Sequence, residues 1–217
     1  MTPMHARTLP DDEPGREQAA TLLRTGSLVA IPTDTVYGLG VALGTPGGLE
    51  RLFAAKERPF DRAIVLLVDS LDQAAAVGVV SPSARVLAER FWPGGLTLVL
   101  AQRPGAALPA ILTAGGSTIG VRLPNHPSPR ALAAALGPLP VTSANLSGHP
   151  AALSAGDVLA QLGDRIDLIL DGGPARGGVP STVADCSGEA VRILRAGAID
   201  RHDIEAALSG NRLRLQA

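Results

Sequence analysis

Ser27–Pro59 reads SLVAIPTDTVYGLGVALGTPGGLERLFAAKERP. Leu28 to Ile31 is a short apolar run of the kind that forms a buried strand. It stops at Pro32 and opens into Thr33-Asp34-Thr35 and then Tyr37-Gly38-Leu39-Gly40. A helix follows, with Thr45 as its expected cap, and it ends at Lys56-Glu57-Arg58-Pro59. Strand, polar turn and helix in that order mark an α/β chain. Small hydroxyls thus sit at the end of a strand and a Lys/Arg pair at the end of a helix. That arrangement suits a small polar substrate beside a phosphate-bearing one.

Lys56 is the only lysine among 19 Lys and Arg residues. Lysine is a compact ammonium with rotatable donors, whereas arginine is a planar fork suited to two phosphate oxygens. Lys56 and Arg58 read as a phosphate clamp with two different jobs. A cationic helix end, favoured by the macrodipole and stopped by Pro59, accounts for the pair equally well.

Outward from this stretch, helices and strands alternate. Residues 17–25 read as an amphipathic helix closed by Gly26. Residues 63–68 read as a second buried strand, Asp69 as a cap for a helix through Ala76, and Ser81 as the start of another through Arg90. Strands follow over 96–101 and 117–124, a helix over 127–136, and a short strand at Pro140-Val141 that runs into Thr142-Ser143-Ala144-Asn145. Ser154 caps a helix through Leu162, and 167–170 is a strand. Residues 181–185 and 191–195 form a hairpin, and 200–208 a closing helix. The hairpin makes the sheet mixed rather than purely parallel. The expected fold is α/β, a twisted mixed β-sheet with flanking helices and a concave ligand-binding crevice. The expected organisation is a flexible lead-in over 1–14, one folded domain over 15–209, catalytic on the resemblance given below, and a tail over 210–217 that frays.

Composition narrows the function. The chain has 217 residues, 46% of them hydrophobic and only 2% aromatic, so aliphatic side chains must build the core. A net charge of −1 argues against nucleic-acid binding driven by overall charge. Cys186 is alone, which excludes a disulfide framework and a cysteine-rich zinc site. No stretch is long and apolar enough to span a bilayer, and the N-terminus lacks an apolar signal-peptide core. A reducing cytoplasm is the expected location.

There is no G-x-x-x-x-G-K-[ST], no G-x-G-x-x-G after the first strand and no G-x-S-x-G. His5, His126, His149 and His202 make no metal-ligand pattern, so no protein-held metal is expected. What remains is catalysis by positioning and charge stabilisation. The polar clusters Thr33/Asp34/Thr35, Arg122, Thr142/Ser143/Asn145, Ser181/Thr182 and Arg195 each sit at the end of an apolar strand. In open α/β sheets such ends converge on a ligand crevice. Singly, each cluster can also be strand-ending or helix-capping chemistry.

The ordered set PTDTVYGLG, KERP, WPGGLTLVL, GVRLP, TSANLSG and PST resembles the YrdC/TsaC family. The resemblance implies an L-threonylcarbamoyladenylate synthase, a nucleotidyltransferase that joins L-threonine, bicarbonate or CO2, and ATP. Its product serves N6-threonylcarbamoyladenosine formation in tRNA through a separate threonylcarbamoyl transferase complex. It implies Lys56, Arg58 and Arg62 on the ATP phosphates, with Lys56 and Arg58 catalytic. Thr118, Ser143, Asn145 and Arg195 fall on the nucleotide side. Thr33, Thr35, Arg122, Thr142 and Ser181 fall to threonine. Magnesium is expected to arrive with ATP. Some members carry a threonine-contacting histidine where this chain has Leu67, and the chain is similar to the short, single-domain form. A weak contact with tRNA or other RNA is a further expectation, and the alternative function is a non-catalytic RNA-binding or ribosome-associated module.

Overall fold

The apolar run at the start of the decisive stretch becomes an inner strand of one mixed sheet. In a computed structural model, residues 6–211 and 213–216 are described. In chain order they form β1 (Arg7–Pro10), α1 (Glu13–Arg24), β2 (Val29–Ile31), β3 (Gly38–Gly40), α2 (Gly48–Ala55), β4 (Val65–Leu67), α3 (Leu71–Val77), β5 (Gly78–Val79) and α4 (Pro82–Phe91). The second half contains β6 (Leu96–Gln102), β7 (Thr118–Arg122), α5 (Pro127–Leu136), β8 (Leu139–Ser143), α6 (Ala155–Leu162), β9 (Leu168–Asp171), β10 (Thr182–Asp185), β11 (Arg192–Arg195) and α7 (Arg201–Ser209). The strand order is β1-β9-β2-β3-β8-β4-β7-β6-β10-β11, with β5 beside β6. β9 runs parallel to both β1 and β2, β4 parallel to β7, and β6 parallel to β10. The remaining pairings are antiparallel.

Period-two alternation gives the sheet two different faces. Ala30, Leu66, Leu98, Leu100, Ile119, Val121 and Ile169 point to the back, into a core closed by residues of α2, α4, α6 and α7. Val29, Ile31, Leu67, Leu139, Val141, Leu168 and Leu170 point to the front, against Ala19, Ala20 and Leu23 of α1 and Leu132 of α5. These two helices pack on each other and cover the front of the sheet, α1 over β9 and β2 and α5 over β8 and β4.

The expected flexible lead-in over 1–14 is corrected where the structure describes it. Arg7–Pro10 pairs in register with Leu168–Asp171. Asp12 accepts from the Gly15 N–H and caps α1, with a proline in its first turn. Residues 1–5 lie outside the described residues. The tail is corrected likewise: Val191 N–H donates to Arg214 O, Gln216 N–H donates to Val191 O, and Leu213 and Leu215 pack on the core. Residues 212 and 217 lie outside the description.

Two caps also differ. Gly47, at φ 70°, precedes α2 with no side-chain cap, and Thr45 Oγ1 instead donates to Ala42 O. A left-handed start favours glycine over threonine. α3 is capped by Ser70, whose Oγ accepts from Gln73 N–H; Asp69, one residue earlier, accepts from the Ser70 hydroxyl.

Candidate active site

Beyond α5 the front of the sheet has a cavity of about 620 Å³. Its floor follows the same alternation. β7 contributes Thr118, Gly120 and Arg122, β6 contributes Thr97 and Val99, β4 contributes Val65 and Leu67, and β8 contributes Val141 and Ser143. Val141 and Leu67 belong both to this floor and to the core under α1 and α5, so the cavity and the helices share one face. The polar residues were expected at strand ends; the structure spreads several of them across the sheet face. A Cβ at Gly120 would lie 3.3 Å from Val65 Cγ2 and 3.6 Å from Thr97 Cγ2, so glycine there keeps the floor deep.

One corner is a hydroxyl network built on the turn after β2. Thr33 Oγ1 donates to Val36 O at 2.7 Å and lies 3.0 Å from Thr35 Oγ1. Arg122 is 6% exposed and binds three groups at once: its Nε donates to Gly94 O, Nη1 to Thr35 Oγ1 at 2.8 Å and Nη2 to Asp34 Oδ1 at 2.6 Å. Burial pushes this guanidinium below its ordinary range, and the Asp34 carboxylate opposes that. Two of its five N–H groups, one on each Nη, remain uncommitted.

Across the cavity, Ser181 Oγ sits 2.8 Å from Thr97 Oγ1, and Arg195 Nη2 donates to Ser181 O and Oγ. Arg58 donates to Ala63 O at 2.8 Å and to Arg62 O at 3.3 Å. Arg58 and Arg195 both line the cavity, and neither has a carboxylate within 4.0 Å among the described residues. Burial pushes both guanidinium groups downward, and the Arg62 charge adds to this at Arg58.

The expected residues thus separate. Thr33, Thr35, Arg58, Thr118, Arg122, Thr142, Ser143, Asn145, Ser181 and Arg195 line the one cavity. Arg62 does not; its side chain is exposed, and its carbonyl supports Arg58. Lys56 does not line it either. It is 1% exposed and its Nζ donates to the carbonyls of Ser143 and Asn145. Burial, with the Arg58 charge second, pushes its ammonium down to about 7. Asn145 Nδ2 donates to Leu146 O and His149 O, and its Oδ1 is buried with no partner. Thr97 and His149 line the cavity without having been expected there from sequence. Thr97 was within reach, because Thr97 and Val99 share one face of a strand.

A sheet face half closed by helices and half open over paired hydroxyls and arginines without carboxylate partners defines an α/β protein whose open face is suited to a polar, anionic ligand. The chain belongs to the Sua5/YciO/YrdC family, whose model, described as "Telomere recombination", matches residues 21–197. The threonylcarbamoyl-AMP synthase of Bacillus subtilis (strain 168) is 40% identical over 92% of this chain and 58% of its own length. A Pyrococcus abyssi Sua5 crystal structure, described as complexed with L-threonine, superposes with a TM-score of 0.87 at 36% identity, covering 98% of this chain and 62% of that one. The Escherichia coli YciO crystal structure superposes with a TM-score of 0.78 at 27% identity, covering 92% of this chain and 98% of that one. The chain therefore spans under two thirds of the first two and nearly all of the third. The superpositions bear out the mixed α/β sheet expected from sequence.

Proposed function

We propose that the cavity joins L-threonine, bicarbonate or CO2, and ATP into threonylcarbamoyl-AMP, releasing pyrophosphate. The observation that carries this reading is a pair of cations, Arg58 and Arg195, open toward a hydroxyl-lined wall. Threonine's neutral amine adds to CO2, forming the N–C bond of a carbamate and losing one N–H proton to solvent. A carbamate oxygen attacks the α-phosphorus of ATP, and the bond to the β-phosphate oxygen breaks as pyrophosphate leaves. Arg58 faces the polyphosphate and offsets charge on the leaving group. Ser143, Thr118 and Arg195 serve the nucleotide, and Asn145 Oδ1 accepts from it. Thr33, Thr35, Thr142 and Ser181 orient threonine, and the two free N–H groups of Arg122 meet its carboxylate.

Magnesium enters with ATP and neutralises phosphate charge when bound. Among the described residues no three His, Cys, Asp or Glu side chains are grouped to hold a metal. The product goes to a separate threonylcarbamoyl transferase complex for N6-threonylcarbamoyladenosine in tRNA, in the cytoplasm. No helix of the described residues is long and apolar enough to cross a membrane. The catalytic unit is the expected 15–209 extended by β1 (Arg7–Pro10) and by the docked Leu213–Gln216.

The test is pyrophosphate release from ATP with magnesium and bicarbonate, with and without L-threonine, and mass spectrometry of the nucleotide. Threonine-dependent release with the threonylcarbamoyl-AMP mass is expected. Release that ignores threonine, or no release, overturns the reading.

A further inference from the structure

We infer that Lys56 is a positioning residue: its Nζ fixes the Ser143–Ser147 segment of the cavity wall and does not itself meet the polyphosphate. In its kinetic consequences the inference rests on the proposed synthase reading; in its structural ones it stands alone. Three observations converge on it. Nζ donates to two backbone carbonyls, Ser143 O and Asn145 O, on either side of Ala144. The main chain binds the same segment, since Ser147 N–H donates to Lys56 O at 3.0 Å. The side chain is 1% exposed and absent from the cavity lining, while Arg58, two residues on, lines it.

The segment so held carries Ser143 and Asn145 into the wall. Asn145 spends both amide N–H groups on Leu146 O and His149 O, which leaves Oδ1 buried and without a partner. An acceptor kept dry in this way serves a ligand donor only if its backbone stays put, and the Nζ bonds on both sides hold that backbone. The residue type fits the task. Two carbonyls so close in sequence need a compact head with several donors, which an ammonium has; a guanidinium spreads its donors over a plane. This is the one cationic position where the chain uses lysine.

Because Lys56 is the sole lysine, acetylation of the native protein reads its Nζ directly against N-α-acetyl-lysine amide in the same tube. The expected result is labelling about a hundredfold slower than that reference, since modification needs local opening, with no added protection from Mg-ATP. Rapid labelling that Mg-ATP suppresses overturns the inference. Amide exchange of the ligand-free protein gives the second measurement. Lys56→Met is expected to speed exchange at Ala144–Ser147 about tenfold while β9 keeps its protection. Unchanged exchange at those amides overturns the inference. Should Lys56→Met fail to fold, Lys56→Gln carries the same measurement.

The kinetic arm separates donor from charge. Lys56→Gln, which keeps N–H donors without charge, is expected to regain part of the kcat that Lys56→Met loses, with little change in KM for ATP. A phosphate contact predicts equal loss in both variants and a raised KM, and that result overturns the inference. If the chain proves to have no synthase activity, acetylation and exchange still decide the role of Lys56.

Discussion

The two ends of the front sheet face treat charge in opposite ways. Under α1 and α5, the Asp11 carboxylate accepts from Arg16 Nε at 2.8 Å and from Ser128 Oγ, with His126 Nδ1 4.0 Å away. That cluster is closed: a buried carboxylate meets its cation and hydroxyl inside the chain. Over the open end, Arg58 and Arg195 donate only to main-chain carbonyls and to Ser181 Oγ. A guanidinium whose acceptors are all neutral, half-buried at Arg58 and exposed at Arg195, retains its full charge toward an incoming anion. Where a helix covers the sheet, the polar chemistry is complete; where the sheet is open, the cations lack the carboxylate that an anionic ligand, as proposed, would supply.

The largest effect should come from removing an open cation. Arg58→Ala is expected to lower threonine-dependent pyrophosphate release by about 10²–10³-fold, the scale of a lost charge-stabilising donor. Its side chain closes no ion pair among the described residues, but it donates to Ala63 O and Arg62 O and lies over the Phe53 ring, so stability in urea should fall by only about 1–2 kcal/mol. A large loss of stability with little loss of turnover would place Arg58 with the closed cluster instead. Arg122 is intermediate, because it lines the cavity yet is paired with Asp34. Arg122→Ala is expected to cost about 3 kcal/mol in urea denaturation, the low end for breaking a buried pair, since Asp34 keeps some water. It should also raise the threonine requirement more than the ATP requirement. Equal shifts in both would remove Arg122 from the threonine side.

A smaller effect probes the open floor by filling it. Gly120→Val places branches toward Val65 and Thr97 in the space a substrate needs. We expect KM to rise about tenfold, equivalent to ~1.4 kcal/mol of binding, with the fold retained. Unchanged KM would mean that substrates sit clear of the floor.

How much of this was legible in the sequence depends on how local the cause is. The helix over Pro127–Leu136 and the Ser154-capped helix ending at Leu162 were read with the bounds observed, because caps and turns act within a few residues. β3 was not read: Gly38–Gly40 has no strand propensity and is a strand because β2 and β8 take both its edges. β1 was missed for a similar reason, since its partner Leu168–Asp171 lies at the far end of the chain. Ten of the expected site residues share one cavity because each sits on a strand face or a turn beside it. Lys56 departed from expectation because a lysine before a proline-stopped helix end reads alike whether it faces water or two carbonyls.

That buried lysine gives the smallest and most specific effect, a dependence of stability on pH. The native ammonium is pushed down from its ordinary value near 10.5 to about 7, by burial first and by Arg58 second. Below pH 7 both the folded and unfolded chains carry the proton, and the full penalty of burying the charge is present. Between about 7 and 10.5 the unfolded chain holds the proton that the folded chain has released, so stability rises with pH through that window. From pH 7 to pH 8 the gain should be about 1 kcal/mol relative to Lys56→Met, which has nothing to titrate there. Urea midpoints of the two proteins at both pH values measure it, and subtracting the variant cancels every other titrating group. Parallel lines would mean that the two carbonyls solvate the ammonium as fully as water does. Lys56 would then be a permanent cation, closed within the chain like Arg16. A steeper wild-type line would make it an amine near neutrality, holding its loop through N–H donors alone.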